Sequence, residues 1–376
     1  MRTKFNKTIS FLAKPHIFFY SCVWLIVLVF FGTLAQRDYG LYWAQQKFFS
    51  SFILWVGWIP LPGGYLTMGV LFLTLLAKLV FKSPLKKKSL GTVVTHLGAL
   101  LLLLGGFLTA ITTQEGAMVL AEGDRSNQFE KYFEKELHVG KEKSADNIVF
   151  QQKWIKKGNI LAHKKLPFKV EVLNFYENSS FVKRQESDPE NVKGFLKIFQ
   201  IFEIPREKQA EKNRPAVIFQ ITGSQEKTNG LYAVFEGMPI QQNIRFSDDV
   251  YPVKIDSEKI QLPFEVELID FEKKMHPATG IPKSFKSEVK VHDNGVEQRK
   301  LIEMNEPLRY RGYTFYQASY LEGTPKETTV LAVVKNTGRL FPYISSIVMC
   351  IGVLIHLLLM SSKLFVGGRR ADKGAL

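Results

Sequence analysis

Cysteine is scarce in this sequence of 376 residues, and its scarcity excludes thiol chemistry from most of the chain. The two cysteines, Cys22 and Cys350, both lie in long apolar runs, and residues 113–337 contain none. That segment therefore has neither an internal disulfide nor a CxxC redox pair. The sequence also has no Ser-His-Asp set, no phosphate-binding glycine loop and no zinc-ligand spacing, so these kinds of active site are not indicated.

Long apolar runs are present four times, at residues 16–35, 65–81, 90–112 and 340–361. At about 1.5 Å per residue, helices of these lengths cross a hydrocarbon core of roughly 30 Å. The runs predict an integral membrane protein with four transmembrane α-helices, of which the second is the shortest. A cleaved signal peptide ending at Thr33–Ala35 is the alternative for the first run, but a run of about 20 residues exceeds the usual signal core.

Acidic residues are almost confined to residues 113–337, where 33 Asp and Glu stand against 34 Lys and Arg. The rest of the chain therefore carries +14 of the net charge of +15. This surplus flanks the apolar runs in three clusters: Arg2, Lys4, Lys7 and Lys14; Lys78, Lys82, Lys86, Lys87 and Lys88; and Lys363, Arg369, Arg370 and Lys373. The clusters follow the positive-inside rule with both termini in the cytoplasm. They set orientation, so nucleic acid is not an expected partner.

The polar block between the third and fourth runs alternates with period two, which predicts a large β-rich extracytoplasmic domain inserted between helices 3 and 4. "LPFKVEVLNFYE" (166–177) and "LPFEVELIDFEK" (262–273) match at six of twelve positions, which indicates either two related lobes or a chance likeness between strands. Asn294-Gly295 separates two strand-like runs and predicts a hairpin turn. The charged, proline-containing stretch 185–214 predicts a surface excursion.

A histidine lies inside the third run, where an ionisable side chain is costly and usually functional. His96 is six residues from the cytoplasmic start of this run, about 9 Å. Gly91, Gly98 and Gly105 recur every seven residues on a separate face, which predicts close helix packing there and leaves the imidazole on another face. Neutral imidazole is a standard axial ligand of haem iron. The alternative is a hydrogen bond from His96 to a neighbouring Ser, Thr or carbonyl.

His356 lies in the fourth run, five residues from its cytoplasmic end. The sequence therefore predicts that His356 and His96 lie at nearly the same depth, about 7–9 Å from the cytoplasmic ends of their spans. Either His356 serves haem as a second ligand or pocket wall, or the match in depth is accidental. The remaining histidines are expected at surfaces or interfaces: His16, His138, His163, His276 and His292.

Six motifs in one fixed order run through nearly the whole chain. They are "GTLAQ" (32–36), "GLYWAQQKFFSS" (40–51), "IPLPGG" (59–64), "HLGALLLLLGGFLT" (96–109), "TGIPKSFKSEV" (279–289) and "NEPLRYRGYTFYQASY" (305–320). As an ordered set they resemble the ResB/CcsB family of system II cytochrome c biogenesis.

The resemblance implies a membrane subunit that binds haem b transiently and, with a CcsA-type haem-handling protein, delivers it to CxxCH apocytochromes c outside the cytoplasm. The family's functional histidine lies in the third span, and His96 matches it as the implied axial ligand. The tryptophan-rich segment of CcsA is absent from this chain. The chain is therefore expected to be a non-autonomous subunit of a cytochrome c haem-lyase (holocytochrome c synthase) complex. Its thiol-disulfide reductant is expected to be another protein.

The closing motif offers charged and aromatic side chains in alternation: Arg309, Arg311, Tyr313 and Tyr316. Arginine pairs with carboxylates through a bidentate fork, so these residues are candidates to meet haem propionates or an apocytochrome. The alternative is the ordinary pattern of a half-exposed strand.

These expectations place the chain in the bacterial cytoplasmic (inner) membrane and divide it into nine segments. They are a basic cytoplasmic N-terminus (1–15), a first helix (16–35), an extracytoplasmic loop (36–64), a second helix (65–81), a cytoplasmic loop (82–89), a third helix (90–112), the extracytoplasmic β-rich domain (113–339), a fourth helix (340–361) and a cytoplasmic C-terminus (362–376). Two other classes stay open. One is a membrane b-type electron-transfer cytochrome that holds a permanent haem through His96 and His356. The other is a haem-free scaffold that holds CcsA or apocytochrome c.

Overall fold

The computed structural model describes residues 11–82, 86–142, 144–184, 191–223, 228–277, 282–321 and 325–371, without the side chains of 144–146, 282 and 362–371. The chain divides into two compact units. The helical unit comprises Met1–Gln114 and Lys335–Leu376, and the β unit comprises Glu115–Val334.

In its described residues, the helical unit has four helices that are long and apolar enough to cross a membrane. They are α1 (Pro15–Tyr39), α2 (Gly64–Lys82), α3 (Leu90–Thr112) and α4 (Phe341–Ala371). Pro15 is the first helical residue of α1, a position that needs no N–H donor. Gly40 ends α1 with a φ of 81°, a conformation that favours glycine. The four predicted apolar helices are confirmed.

The segment between α1 and α2 folds back along α1. It consists of a short helix (Leu41–Ala44), a π-helical turn (Gln45–Phe49) and a hairpin of β1 (Ile53–Val56) and β2 (Ile59–Pro62). Phe49 packs on α1 at Gly32, where an added Cβ atom would lie 2.6 Å from the Phe49 ring. The Trp24 indole Nε1 of α1 donates a hydrogen bond of 2.9 Å to the Pro62 carbonyl. This segment is therefore an ordered structure beside α1, and its extracytoplasmic side stays a prediction.

The β unit is built from strands β3 to β18, of which β3 and β18 reach one residue into the helical unit. The bounds are β3 (Gln114–Ala121), β4 (Arg125–Lys141), β5 (Ser144–Gln151), β6 (Ile160–Leu161), β7 (Phe168–Tyr176), β8 (Ser179–Lys183), β9 (Phe199–Glu203), β10 (Ala216–Gly223), β11 (Gly230–Phe235), β12 (Gln242–Phe246), β13 (Asp249–Met275), β14 (Pro282–Asp293), β15 (Val296–Glu303), β16 (Leu308–Tyr310), β17 (Tyr313–Leu321) and β18 (Thr328–Lys335).

Two sheets carry most of the β unit. Within the described residues, ten strands form one sheet of main order β15-β14-β13-β4-β3-β18-β17-β16, in which β5 also pairs with β4 and β12 with β13. A second sheet has the order β11-β10-β7-β6, and β8 pairs with β9. The predicted β-rich domain is confirmed, and its side of the membrane stays a prediction.

Three hydrophobic clusters lie in the described part of the β unit, and the two larger ones are the cores of two lobes to which the long strands β4 and β13 both contribute. Leu137 of β4 and Val253 of β13 lie in the core of the first lobe, with β7, β10 and β11. Phe129 of β4 and Val266 of β13 lie in the core of the second lobe, with β14 to β18. Alternate side chains of β7 and of most of β13 are buried, as period two predicts.

The two copies of the Leu-Pro-Phe motif lead into strands with the same irregularity. Leu173 of β7 is an extra residue in the register between β7 and β10, and Ile269 of β13 is an extra residue in the register between β13 and β14. These two β-bulges are 96 residues apart, which is also the spacing of the motifs. Phe168 and Phe264 are both buried. A shared bulge goes beyond strand patterning and favours two related lobes.

Two local predictions have different outcomes. Asn294 and Gly295 form the predicted turn of a hairpin, with φ of 47° and 82°, between β14 and β15.

The prediction that residues 185–214 form a surface excursion is wrong for part of their length, and residues 185–190 lie outside the described residues. Phe195, Leu196 and Ile201 are buried against β10 and β11, because this part of the charged stretch contains an apolar run.

Candidate functional site

The predicted glycine face of α3 is the face that meets α4. Gly91 meets the backbone of His356, where an added Cβ atom would lie 2.6 Å from Cα, and Gly98 and Gly105 meet α4 further along α3. Gly352 of α4 is in equally close contact with α3. Small residues let two helix backbones approach closely in an apolar medium. The two histidine-bearing helices are therefore held together by contacts that larger side chains would prevent.

His356 reaches the face of α3 that carries His96. The ring of His356 is exposed, and its Nδ1 lies 3.5 Å from the Thr92 Oγ1, at the limit of a hydrogen bond. Thr92 precedes His96 by four residues, so these two residues share one face of α3 and are one turn apart. The contact between α3 and α4 thus brings His356 to within about one helical turn of His96 along α3.

His96 is half-buried on α3. Its Nδ1 is buried and has no hydrogen-bond partner within the part of the chain that the structure describes. Leaving a buried polar atom unpaired costs about 1–3 kcal/mol. Lys78 of α2 is close enough to act on the ring electrostatically. The hydrogen bond to a neighbouring Ser, Thr or carbonyl, which was the alternative for this residue, is therefore not found at Nδ1.

Three histidines of the β unit, unlike His96, have protein groups close to Nδ1 or Nε2 of the ring. His138 Nδ1 lies 2.9 Å from Asn147 Nδ2, and His292 Nε2 lies 2.6 Å from Glu267 Oε2. His163 Nδ1 accepts a hydrogen bond from the backbone N–H two residues later. Each of these three rings thus has a nitrogen within hydrogen-bonding distance of a protein group.

The closing motif divides between the interior and the surface of the second lobe. Arg311 Nε lies 2.6 Å from the buried Asp293 Oδ2, and Tyr313 is part of the core. Arg309 and Tyr316 are exposed. The pattern is that of a half-exposed strand, with Arg311 already paired inside the β unit.

The surroundings of His96 fit an axial ligand of haem iron. Ligation uses the lone pair of a neutral imidazole nitrogen, and the half-buried ring of His96, with Nδ1 enclosed by protein, leaves its other edge as the one that can face a ligand. Leu97 and Leu357, which follow the two histidines, are 46% and 55% exposed and offer apolar surface to a porphyrin.

The sequence did not lead us to predict two features: the contact between His356 and Thr92, and the folding of residues 40–63 back along α1. A signal for the second was present in the sequence. From Phe52 to Leu66 there is no charged residue and no Ser, Thr, Asn or Gln, which is unusual for a loop exposed to water.

Comparison with known proteins shows similarity to one family. Residues 216–330 match the model of the ResB-like family. The chain is also 26% identical over 315 residues to Protein NrfI of Wolinella succinogenes, an alignment that covers 82% of this chain and 32% of that protein. The chain therefore spans about a third of the length of this relative. The family resemblance predicted from the six motifs is confirmed.

Proposed function

We propose that this ResB-like chain works in cytochrome c biogenesis, as a membrane subunit that binds haem through His96. The family match and the ordered motifs support the process. The haem is haem b, carried as a substrate toward CxxCH apocytochromes c outside the cytoplasm. The relative's additional length fits a chain that performs only part of a larger activity.

The observation that carries this proposal is the half-buried imidazole of His96 in an apolar helix, whose Nδ1 has no hydrogen-bond partner among the described residues. Nδ1 is enclosed by protein, so the partly exposed remainder of the ring is what can present its other nitrogen to iron. His96 lies about 9 Å from the cytoplasmic end of its span, which suits capture of haem in the inner leaflet. Haem supplies an iron with axial positions for nitrogen ligands, and the chain supplies the ligand and an apolar surface.

We assign His356 a second role at the same site. Its ring lies one helical turn from His96 along α3, next to Thr92. It is proposed as a pocket wall or second ligand, while the usual second ligand comes from the CcsA-type partner. His356 is more exposed than His96, so its loss is expected to matter less.

The proposed topology follows from the basic clusters around the spans. The protein is placed in the bacterial inner membrane with both termini and residues 82–89 in the cytoplasm, and the β unit is exported. The β unit has no cysteine, so the reductant for apocytochrome thiols is assigned to another protein. The chain is accordingly proposed as one subunit of a holocytochrome c synthase that acts with a CcsA-type protein.

Co-expression tests the proposal directly. The chain is produced with and without a CcsA-type protein, in a host that lacks other maturation genes and carries an apocytochrome c. We expect the purified complex to show a haem absorbance spectrum, and holocytochrome c to form only when both proteins are present. Holocytochrome formation by the single chain contradicts the subunit role.

The haem absorbance spectrum also distinguishes this proposal from its two alternatives, a haem-free scaffold and a permanent b-type cytochrome. A complex that matures cytochrome c while this chain's site stays free of haem supports the scaffold. Stoichiometric haem that is retained by the chain alone, and never transferred to apocytochrome, supports a permanent b-type cytochrome.

A further inference from the structure

The hairpin of β1 and β2 exposes a continuous apolar surface. Trp58 at its turn is 85% exposed and Trp55 on β1 is 57% exposed, and the neighbouring Phe52, Ile53 and Val56 are exposed as well. Scattered exposed apolar residues are ordinary, but a contiguous patch indicates an interaction surface. The question is which medium or molecule covers it.

The position of the hairpin along α1 indicates the depth in the membrane at which this surface lies. The Pro62 carbonyl at the base of the hairpin accepts the hydrogen bond of Trp24, which lies about 22 Å before the end of α1 at Tyr39. Phe49, which leads into the hairpin, meets α1 at Gly32, about 10 Å before that end. When α1 spans the membrane, the base of the hairpin therefore lies at the depth of the bilayer and not beyond it.

The backbone of the hairpin decides between lipid and protein. Gly57 and Trp58 form a two-residue turn, so the closing pair Val56–Ile59 exchanges backbone hydrogen bonds between the two strands. In the next pair, and in every second pair after it, the backbone N–H and carbonyl groups point away from the partner strand, toward the outer edges of the hairpin. On β2 these outward positions are Pro60 and Pro62, which have no N–H, and the Pro62 carbonyl is already taken by Trp24.

On β1 the outward residues are Ile53 and Trp55, and each has an N–H and a carbonyl on this edge. An open sheet edge is not tolerated against lipid, because each unsatisfied backbone group costs several kcal/mol in hydrocarbon. The apolar surface therefore favours an apolar environment, while the β1 edge requires polar partners. A protein embedded in the membrane satisfies both requirements.

We infer that the hairpin Phe52–Pro62 is the docking surface for the membrane-embedded part of a partner protein. The inference rests on the proposed function, in which the partner is the CcsA-type protein. The partner's apolar helices cover Trp55 and Trp58, and its polar groups meet the edge of β1 at Ile53 and Trp55. Two-thirds of NrfI lies outside the alignment with this chain, which fits a different partner better than a second copy of this chain.

Photo-crosslinking in the intact membrane tests this surface. A photoreactive phenylalanine analogue replaces Trp58 in the full chain, which is co-expressed with the CcsA-type protein. The matched control carries the analogue at Ile26, which is 68% exposed on α1 and, at two residues from Trp24, lies on the opposite side of that helix. We expect the Trp58 position to cross-link to the partner severalfold more than the Ile26 position. Products with lipid alone or with a second copy of the chain overturn the inference.

A pair of substitutions supplies a second readout. We expect the double variant Trp55→Ala/Trp58→Ala to reduce the amount of co-purified partner severalfold. The control Trp154→Ala removes a tryptophan of the β unit that is 55% exposed, close to the 57% of Trp55, and should leave the co-purified partner unchanged. Equal recovery from the double variant and the control contradicts the docking surface.

The outcomes keep this inference separate from the proposed function. If Trp58 cross-links to the partner and no haem is found in the complex, docking stands and the haem proposal fails. If the complex binds haem and matures cytochrome c without a cross-link at Trp58, docking alone fails.

Discussion

Single histidines in this chain are held in two physically different ways. Within the described residues, Nδ1 of His96 in the helical unit and Nε2 of His138 of β4 are both buried without a hydrogen-bond partner, but His138 differs in having a polar group near each ring nitrogen. His138 Nδ1 lies 2.9 Å from Asn147, and its Nε2 lies 3.6 Å from the Glu136 carboxylate. Burial lowers the pKa of His138, with a further lowering by Lys254. The fold thus disfavours the charged form of this ring.

The lowered pKa of His138 predicts a pH dependence of stability. Because the folded state binds this proton less readily than the unfolded state, the free energy of unfolding falls as pH drops below about 6.5, the ordinary histidine value. We expect His138→Gln to reduce this fall between pH 7.5 and pH 5.5, measured as the urea midpoint of the full chain in detergent.

Glu136 provides the control for this measurement. Burial raises the pKa of Glu136, so its contribution has the opposite sign: it destabilises the fold above its pKa, and the penalty is lost as pH falls. His138→Gln is therefore compared with the same change in a Glu136→Gln background. An unchanged pH slope in both backgrounds contradicts the assignment to His138.

At the scale of elements, glycine spacing decides how α3 and α4 pack. Gly98 meets α4 so closely that an added Cβ atom would lie 2.6 Å from Met349, whereas no atom of the described residues lies within 4 Å of such a Cβ atom on Gly106. The two glycines belong to the same helix and differ in the face they occupy. They therefore form a matched pair for testing this contact.

We expect Gly98→Leu to destabilise the helical unit and Gly106→Leu to have little effect. Overpacking at a close contact costs about 1–3 kcal/mol, while leucine in place of an exposed helical glycine is neutral or mildly favourable. Thermal unfolding in detergent and co-purified haem give the two readouts. Equal stability of the two variants would mean that α3 and α4 do not pack through Gly98.

The sequence predicts elements with strong local signals and misses those that depend on distant contacts. Apolar runs locate the four helices, and Asn294-Gly295 locates a hairpin, because length and turn chemistry are local. The 27-residue strand β13 serves two cores, which no local period reveals. The segment 40–63 returns along α1 through distant contacts such as the Trp24–Pro62 hydrogen bond, which joins residues 38 positions apart.

The candidate site shows the same division. His96 and the glycine face follow from helical spacing, so the sequence identifies both. The contact between His356 and Thr92 joins positions 264 residues apart. The membrane depths inferred from the sequence are compatible with this contact but do not predict it. The missing partner of His96 Nδ1 is a property of three-dimensional packing.

At the scale of the whole molecule, the distribution of charge between the helical unit and the β unit predicts which parts of the chain lie on each side of the membrane. The helical unit carries most of the positive surplus next to its spans, while the segment 113–337 is nearly neutral. This distribution favours retention of the basic loops in the cytoplasm and export of the β unit.

Cysteine labelling tests this sidedness with two matched substitutions. Lys87→Cys lies in the loop between α2 and α3, and Lys208→Cys lies in the β unit, and both lysines are exposed. In intact cells we expect a membrane-impermeant maleimide to modify Lys208→Cys and to spare Lys87→Cys. Both should react once the membrane is opened. The reverse pattern in intact cells contradicts the proposed topology.

Haem content of the co-expressed complex carrying His96→Ala tests the central claim most directly. Alanine removes the nitrogen ligand but favours helix and is tolerated in hydrocarbon, so the protein should still insert and accumulate. We predict that haem occupancy and cytochrome c maturation fall together, that added imidazole partly restores them, and that His356→Ala causes a smaller loss. Full haem occupancy with full maturation in the His96→Ala complex would contradict the account.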